Sequence, residues 1–260
     1  MTESRPLGTF CWSELGTTDV AGARSFYSAL FGWSYEDRPM GDSFTYHLVK
    51  NGSDELGGVY HLAGPMFEGV PPHWMFYVSV ADVDATVARV PALGGKVVMP
   101  PMDIPDTGRM AMLEDPTGAK ISVYQAKGRG GATGSPMTPG NFGWAELNTR
   151  DTSAAKKFYT TLFGWEAKES TGPMAYTEWT LPGCKQFGGM LEMNEGWGDA
   201  PPCWLGYVMV DDCDATFAKA ASLGATPIVP PMDIDNVGRF SVIADPQGAV
   251  FAFIKLLPHP

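Results

Sequence analysis

Apolar positions along the first half of the chain alternate with a period of two, change to helical spacing, and then alternate again. Residues 10–15 alternate large apolar side chains with small or polar ones, which predicts a strand. Asp19 follows as an N-cap for a helix whose apolar residues run from Val20 to Leu30 at helical spacing. Gly32 is predicted to end that helix.

The same order of elements starts again within the first half. The pattern predicts a second helix over residues 82–93, with Pro91 expected to bend or shorten it. The other apolar segments predict strands at 44–49, 57–62, 74–80, 96–99, 109–113 and 121–124. Each half is therefore predicted to hold two copies of a strand-helix-strand-strand-strand module, which gives four modules in the chain.

The second half repeats the first at an offset that drifts from 132 to 130 residues. The repeated pairs include Trp12-Ser-Glu14 with Trp144-Ala-Glu146, Phe26-Tyr-Ser-Ala-Leu-Phe-Gly-Trp33 with Phe158-Tyr-Thr-Thr-Leu-Phe-Gly-Trp165, Gly57-Gly58 with Gly188-Gly189, and Asp115-Pro116 with Asp245-Pro246. A period this long indicates a duplicated domain, because solenoid repeats are about 20–50 residues. We predict domains at 1–127 and 141–260, joined by a flexible Gly/Ser/Pro linker at 128–140.

Composition narrows the class of partner. The 260 residues are 44% hydrophobic and 18% charged, which is typical of folded domains. A net charge of −11 argues against binding to nucleic acid or to an anionic membrane surface. The start of the chain carries no apolar signal segment, and the four cysteines show no Cys-x-x-Cys spacing, so we expect a cytoplasmic protein with free thiols.

The ordered motifs resemble the vicinal oxygen chelate superfamily, which includes glyoxalase I, extradiol dioxygenases and bleomycin resistance proteins. The resemblance rests on the paired modules, the Phe-Tyr-x-x-Leu-Phe-Gly-Trp helix end and the Asp-Pro-x-Gly turn before the last strand. It is closest to the two-domain actinobacterial type, commonly labelled glyoxalase-like or hydroxylase-like. The resemblance implies an α+β fold of two tandem glyoxalase-like domains, in which paired βαβββ modules form a β-cup.

The resemblance also implies where a divalent metal would be held. The family's ligand positions fall on Trp12, Met75 and Ser122 in the first half, and on Trp144, Leu205 and Ala252 in the second. None of these side chains is a good ligand for such a cation. We therefore expect no cofactor and no metal.

One displaced metal site stays open as an alternative in the first half. Glu14 shares a predicted face with Trp12, and His61 and His73 lie on or beside other strands of the expected cup. These three side chains could together hold a cation. Alternatively, both histidines are solvated, with His73 in a loop after Pro71-Pro72 and His61 at the end of a strand.

Aromatic and thioether side chains instead fill the predicted cup. This composition favours a pocket for a flat apolar molecule with a few polar substituents, although the same side chains could simply pack on one another. The predicted ligand-binding residues are Trp12, Tyr46, His73, Met75, Tyr77, Arg109, Trp144, Tyr176, Trp179, Leu205, Tyr207 and Arg239.

Two repeated carboxylates are the candidate catalytic groups. Glu14 and Glu146 each lie two residues from a predicted cup-facing tryptophan, where burial would suit them to general-base work. The structural alternatives are an ion pair with Arg109 or Arg239, or a solvated position at the rim of the cup. Each arginine follows a Pro-Pro-Met-Asp-Ile segment, which we expect to be a stiff loop at the rim, and could also clamp an acidic ligand.

The sequence leaves two classes of function open. The first is a metal-free binding protein for a small aromatic or hydrophobic molecule, used for sequestration, resistance or delivery to a biosynthetic enzyme. The second is a glyoxalase-type lyase, dioxygenase or hydroxylase-like enzyme that uses the displaced metal site or Glu14 or Glu146 as a base. Whether modules pair within or between halves, and whether the protein is a monomer or a homodimer, is also open.

Overall fold

The structure is a computed structural model that describes residues 6–41, 44–128, 130–170 and 175–257. In the first half the elements are β1 (Phe10–Thr17), α1 (Val20–Phe31), β2 (Ser34–Pro39), β3 (Thr45–Asn51), β4 (Asp54–His61), β5 (His73–Ser79), α2 (Val83–Arg89), β6 (Lys96–Ile104), β7 (Gly108–Glu114) and β8 (Lys120–Ala126). Short 3-10 helices lie at Pro65–Phe67 and Pro91–Leu93.

The second half has the same element order. It contains β9 (Phe142–Thr149), α3 (Thr152–Phe163), β10 (Glu166–Glu169), β11 (Tyr176–Thr180), β12 (Gly188–Glu192), β13 (Cys203–Met209), α4 (Cys213–Ser222), β14 (Thr226–Ile234), β15 (Gly238–Ala244) and β16 (Val250–Leu256). A 3-10 helix lies at Glu195–Trp197. No helix within the described ranges is long and apolar enough to cross a membrane.

Each half forms one mixed sheet of eight strands. The strand orders are β2-β3-β4-β1-β5-β8-β7-β6 and β10-β11-β12-β9-β13-β16-β15-β14. In every module the first strand runs parallel to one later strand, as β1 does to β4 and β9 to β12, while the consecutive strands after each helix are antiparallel. The predicted α+β fold with four βαβββ modules is confirmed.

Helix α1 begins and ends where its sequence predicts. The Asp19 side chain accepts a hydrogen bond from the Gly22 backbone N–H, and Gly32 takes the left-handed conformation with a φ of 76°. Helix α2 ends at Arg89, and the chain continues as a 3-10 turn from Pro91. The predicted shortening at Pro91 is therefore confirmed, since proline cannot supply the backbone donor that a longer helix needs.

Close contacts divide the chain into two units, and each unit takes one module from each half. One unit contains Met75–Gly131 and Trp144–Leu205, with the N-terminal residues through Trp12. The other contains Ser13–Trp74 and Ala132–Gly143, with the residues from Gly206 onward. Each unit therefore combines one module from each half. The predicted domain boundaries at 1–127, 128–140 and 141–260 follow the sequence repeat instead, and they remain a prediction.

A buried hydrogen-bonded chain lies in the first of these units. Trp204 Nε1 donates to the Tyr159 hydroxyl at 2.9 Å, and that hydroxyl donates to the Asp115 carboxylate at 2.9 Å. The backbone N–H groups of Thr117 and Ala119 also donate to Asp115. Burial, reinforced by the Asp115 charge, raises the pKa of Tyr159 well above its usual value. Asp115 therefore joins the Asp-Pro turn of β8 to helix α3.

The other unit repeats this chain with Trp74, Tyr27 and Asp245. Trp74 Nε1 donates to the Tyr27 hydroxyl at 3.0 Å, and Tyr27 donates to Asp245 at 3.0 Å. The Tyr27 ring also packs against Trp74 and Phe251, with centroids 5.5 Å and 5.4 Å away. The repeated Asp-Pro-x-Gly motif is thus a structural turn whose carboxylate holds a buried tyrosine.

Two elements differ from the sequence prediction. The Pro-Pro-Met-Asp-Ile segments are not rim loops, because they lie within β6 and β14, where the pairing shifts register next to the prolines. Strands β2 and β10 were not predicted, since their sequences are largely charged and exposed. The linker residues are anchored in the second unit, where Asn51 donates to the Pro139 carbonyl and Trp33 to the Gly140 carbonyl.

Candidate functional site

Three side chains on β9 form the base of a polar site in the second half. Trp144, Glu146 and Asn148 occupy alternate positions, so they point to the same side of the sheet. Trp144 is partly exposed, but Glu146 is 7% exposed and Asn148 is fully buried. Burying a carboxylate and a carboxamide on one face is unfavourable unless both have partners. Hereafter the second-half site means Trp144, Glu146, Asn148, Tyr176 and Cys203.

A glycine on β12 lets Tyr176 reach Glu146 from two strands away. Gly189 lies opposite Glu146 in the sheet, and a Cβ at Gly189 would be 2.0 Å from the Tyr176 hydroxyl. Only glycine therefore leaves room for the tyrosine ring to cross β12. The Tyr176 hydroxyl accepts a hydrogen bond from Trp144 Nε1 at 2.9 Å and is hydrogen-bonded to Glu146. Burial, followed by the Glu146 charge, raises the pKa of Tyr176 well above its usual value, so the phenol stays protonated.

The first half repeats the glutamate and tyrosine pair. The Tyr46 hydroxyl donates to Glu14 Oε1 at 2.7 Å, and a Cβ at Gly58 would be 2.0 Å from that hydroxyl. The second glycine of each Gly-Gly pair is therefore needed to leave space for a partly buried Tyr–Glu hydrogen bond. Sequence reasoning noted this repeat but missed its purpose, which only the strand order reveals.

The predicted ion pairs of these glutamates with arginine are wrong. Arg109 forms a bidentate pair with Asp84 and a further pair with Asp103 at 2.8 Å. Arg239 makes the equivalent contacts with Asp214 and Asp233. The pKa of Asp84 is lowered by its hydrogen bonds from Arg109, and Arg239 has the same effect on Asp214. Both guanidinium groups are thus held by exposed aspartates.

Arg109 also lines an open cavity of about 440 Å³ at the ends of β6, β7 and β8. Asp103 and Lys127 share that lining, which includes no member of the second-half site. The two aspartates use most of the guanidinium donors of Arg109. Its predicted role as a clamp for an acidic ligand therefore stays a prediction, with less free hydrogen-bonding capacity than the sequence suggested.

Cys203 on β13 completes the polar side of the second-half site. Burial, with the nearby Glu146 charge, raises the pKa of the Cys203 thiol to about 11, and the Asn148 carboxamide acts weakly in the opposite direction. The equivalent first-half residue is His73, whose Nδ1 lies 2.9 Å from the Pro71 carbonyl oxygen. All four cysteines are free, as predicted.

The raised pKa of Cys203 predicts slow alkylation of the folded protein. Two pKa units above the ordinary value of 9.0 reduce the thiolate fraction at pH 8 about 100-fold, so iodoacetamide should label Cys203 about 100-fold more slowly than in urea-unfolded protein. Folding favours the protonated thiol of Cys203. The contribution of this preference to the free energy of unfolding is complete below pH 9 and is lost as the pH rises through 11. Peptide mass spectrometry measures both rates, and equal rates would contradict this environment.

Several other predicted residues are buried in apolar packing. Met75 and Tyr77 form a cluster with Cys11 and Met110, and Trp12 packs against it. In the other unit, Tyr207 packs near Phe240 with centroids 6.2 Å apart. Leu205 is 7% exposed. Ligand contact by these residues therefore stays a prediction.

The structure corrects the predicted position of Trp179. Its side chain is fully buried, with its ring centroid 5.3 Å from that of Trp165 and 6.0 Å from that of Tyr159 on α3. Alternation along β11 places Tyr176 on the opposite side of the sheet. Trp179 is therefore not brought together with Tyr176, and its indole N–H donates to the Gly189 carbonyl.

The displaced metal site of Glu14, His61 and His73 is not formed. Glu14 lies opposite Gly58 in the parallel pair of β1 and β4, and His61 follows Gly58 by three residues. An odd separation turns the His61 side chain to the other face of the sheet. Across the described part of the chain, no three His, Cys, Asp or Glu side chains lie close enough to hold a metal ion.

Comparison with known proteins identifies the family. The model of the Glyoxalase/Bleomycin resistance protein/Dioxygenase superfamily matches residues 10–123 and again 141–253. The chain belongs to this superfamily. The two matches coincide with the two eight-stranded sheets, which confirms the tandem duplication.

Two relatives of this superfamily member align along nearly its whole length. "Putative glyoxylase CFP32" of Mycobacterium bovis is 39% identical over 255 residues, covering 97% of this chain and 96% of the relative. "Anthracycline biosynthesis protein DnrV" of Streptomyces peucetius is 34% identical over 271 residues, covering 98% of this chain and 96% of the relative. Both are two-domain-length actinobacterial proteins, as the sequence resemblance implied.

Solved structures share the fold at low identity. The Mn(II)-bound glyoxalase from Novosphingobium aromaticivorans has a TM-score of 0.66 at 17% identity, covering 99% of this chain and 84% of that one. The 2,3-dioxygenase LapB from Pseudomonas sp. KL28 has a TM-score of 0.62 at 14% identity, covering 97% and 93%.

These comparisons contradict the expectation that no cofactor and no divalent metal is used, because a structural relative of this superfamily member is a glyoxalase with bound Mn(II). The error came from judging metal use by the superfamily's ligand positions alone. Those positions carry Trp12, Met75 and Ser122 in one half, and Trp144, Leu205 and Ala252 in the other. These side chains do not fit a divalent ion, so no reaction step is assigned to one here.

Proposed function

We propose that the second-half site binds a flat aromatic small molecule, which stacks on Trp144 and directs its polar substituents toward Glu146 and Tyr176. The main observation in support of this proposal is the position of the Trp144 indole. Its N–H is fixed by the Tyr176 hydroxyl, yet its ring is partly exposed and contacts no other aromatic ring in the described ranges. By contrast, Trp33 and Trp165 lie deep within aromatic clusters.

The geometry separates the site into an apolar surface and a polar end. A ligand ring on Trp144 would gain about 0.5–1.5 kcal/mol beyond the burial of its area. Cys203 remains a neutral thiol near neutral pH because burial raises its pKa to about 11. The Glu146 carboxylate accepts hydrogen bonds, so the site favours an uncharged ligand that carries hydroxyl or N–H donors.

The name of one relative supports a polycyclic ligand. DnrV is named for anthracycline biosynthesis, and it aligns with 98% of this chain. A fused aromatic ligand agrees with a site that offers one indole face and a short row of polar groups. In this role the protein sequesters the molecule or delivers it to a biosynthetic enzyme.

A second candidate function is catalysis with Glu146 as general base. The observation in its favour is a carboxylate only 7% exposed that accepts a hydrogen bond from a phenol with a strongly raised pKa. A buried base of this kind can take a proton from a bound hydroxyl or an activated carbon. Glu14 offers the same pair with Tyr46 in the first half.

The binding proposal predicts unequal effects of two matched substitutions. Calorimetric titration with phenanthridinone, a flat three-ring lactam, should give saturable binding to the unmodified protein. Trp144→Leu should weaken that binding about tenfold or more, because it removes the stacking surface. The matched change in the other half, Trp12→Leu, should leave the affinity within about twofold. Equal losses from both changes, or no saturation, would contradict the proposal.

The same protein preparations separate binding from catalysis. Each candidate aromatic compound is incubated with the protein, with Mn(II) added and with a chelator added, and the mixture is followed by mass spectrometry. Recovery of the compound unchanged in all conditions supports the binding role. Turnover that Glu146→Gln abolishes without weakening binding would support the second candidate.

A further inference from the structure

The carboxamide of Asn148 is the most unusual polar group in the second-half site. Asn148 is fully buried, and among the described residues neither its Oδ1 nor its Nδ2 has a hydrogen-bond partner of ordinary length, the weak contact with the Cys203 thiol apart. It lies beside Cys203, but a protonated thiol is a weak partner for an amide. Leaving such a group unsatisfied is unfavourable, because its hydrogen bonds with water are lost on burial. A buried water or a ligand would supply the missing partner.

The corresponding place in the first half is built differently. Asn148 lies opposite Leu191 in the β9 and β12 pair, whereas the equivalent cross-strand pair in the first half is Gly16 and Tyr60. The Tyr60 hydroxyl lies over Gly16, 2.9 Å from where a Cβ would be. Each half therefore has one hydrogen-bonding side chain at this cross-strand pair. In the first half it is the Tyr60 hydroxyl on β4, and in the second half it is the Asn148 carboxamide on β9.

We infer that Asn148 is the specificity-determining residue of the second-half site, and that it recognises a ligand edge carrying a hydrogen-bond acceptor next to a donor. The inference rests on the proposed binding of a flat aromatic molecule. A carboxamide presents a carbonyl and an NH₂ group side by side, so it pairs with a complementary edge through two parallel hydrogen bonds. A lactam, or a carbonyl next to a hydroxyl, has that edge.

Spacing along β9 sets the size of the ligand. Residues four apart on one strand are about 13 Å apart, so a molecule that stacks on Trp144 and reaches Asn148 must be several fused rings long. A single ring resting on the indole would leave the carboxamide without a partner. Glu146 lies between them on the same face, where it meets the middle of such a molecule.

The first half is expected to prefer a different ligand edge, because Tyr60 takes the place of the Asn148 carboxamide there. Tyr60 offers one hydroxyl, and burial with the Glu14 charge raises its pKa far enough to keep it protonated. A single hydroxyl cannot pair with both a donor and an acceptor on one edge with the geometry of a carboxamide. The two halves of the duplication have therefore diverged in the polar group that meets the ligand.

The test compares three probes of one shape. Phenanthridinone has an acceptor next to a donor, phenanthridine has an acceptor only, and N-methylphenanthridinone has its donor blocked. Calorimetry with the unmodified protein should show about tenfold preference for phenanthridinone over each of the others. Asn148→Leu, which has the same branched shape and number of side-chain heavy atoms but no polar atom, should reduce the preference to about twofold or less. Asn148→Asp, which replaces the NH₂ donor with a second acceptor oxygen, should also lose it.

Stability is measured in the same experiment, because a merely structural amide would behave differently. Asn148→Leu should leave the melting temperature unchanged or raised, since it removes a buried polar group without partners. A melting temperature several degrees lower would overturn the inference, because the amide would then be satisfied within the fold. An unchanged probe preference in Asn148→Leu would overturn it as well. Absence of saturable binding by all three probes would overturn the proposed function along with it.

Discussion

Replacing Asp115 with alanine is expected to lower the free energy of unfolding by about 3–5 kcal/mol. The carboxylate is 2% exposed and accepts hydrogen bonds from the Tyr159 hydroxyl and from the backbone N–H groups of Thr117 and Ala119. Removing it leaves buried donors without acceptors, and each costs about 1–3 kcal/mol. Urea unfolding followed by tryptophan fluorescence measures the change.

Two matched variants show whether the lost hydrogen bond of the buried tyrosine accounts for most of the destabilisation. Thr117→Ala removes only a hydroxyl that donates to the same carboxylate from the turn, and should cost less than about 1 kcal/mol. Asp245→Ala removes the equivalent acceptor of Tyr27 in the other unit and should cost about as much as Asp115→Ala. If Asp115→Ala were as mild as Thr117→Ala, the turn would not hold α3 as described.

Replacing Gly189 with alanine is expected to weaken phenanthridinone binding at least tenfold and to cost about 1–3 kcal/mol of stability. The new Cβ would lie 2.0 Å from the Tyr176 hydroxyl, so the ring must leave its place across β12. Trp144 then loses the acceptor for its N–H, and Glu146 loses its donor. Calorimetry measures the affinity, and urea unfolding measures the stability.

The control for this prediction is the same substitution in the first half. Gly58→Ala should disturb Tyr46 in the same way while leaving binding at the second-half site nearly unchanged. Tyr176→Ala removes the ring that the new Cβ would meet. Gly189→Ala should therefore cost little stability when it is made in the Tyr176→Ala variant. Strictly additive losses would show that the glycine and the tyrosine do not share space.

Local sequence patterns were sufficient for the boundaries of the helices. Asp19 and Gly32 mark both ends of α1, and Pro91 ends α2, because capping and proline geometry depend on neighbouring residues only. The charged strand β2 was missed because an exposed edge strand carries no apolar alternation. The module pairing could not be read either, since the Tyr27 and Asp245 contact joins residues 218 positions apart.

The candidate site was only partly predictable for the same reason. Alternation correctly grouped Trp144 with Glu146 on one face of β9. The partner of Glu146 was misjudged because charge complementarity suggested an arginine, while the strand order instead placed Tyr176 two strands away across Gly189. Asn148 drew no attention in the sequence, because an asparagine is noticeable only once the structure shows its carboxamide buried with no ordinary hydrogen-bond partner among the described residues.

Fluorine NMR of the protein labelled with 5-fluorotryptophan tests the binding of a flat ligand at Trp144 most directly. The eight tryptophans give separate signals, and the Trp144→Leu variant assigns the one that matters. On titration with phenanthridinone, the Trp144 signal should shift most and saturate, while those of the buried Trp165 and Trp179 stay nearly fixed. A saturating shift at Trp12 with none at Trp144, or no shift at any tryptophan, would contradict the account.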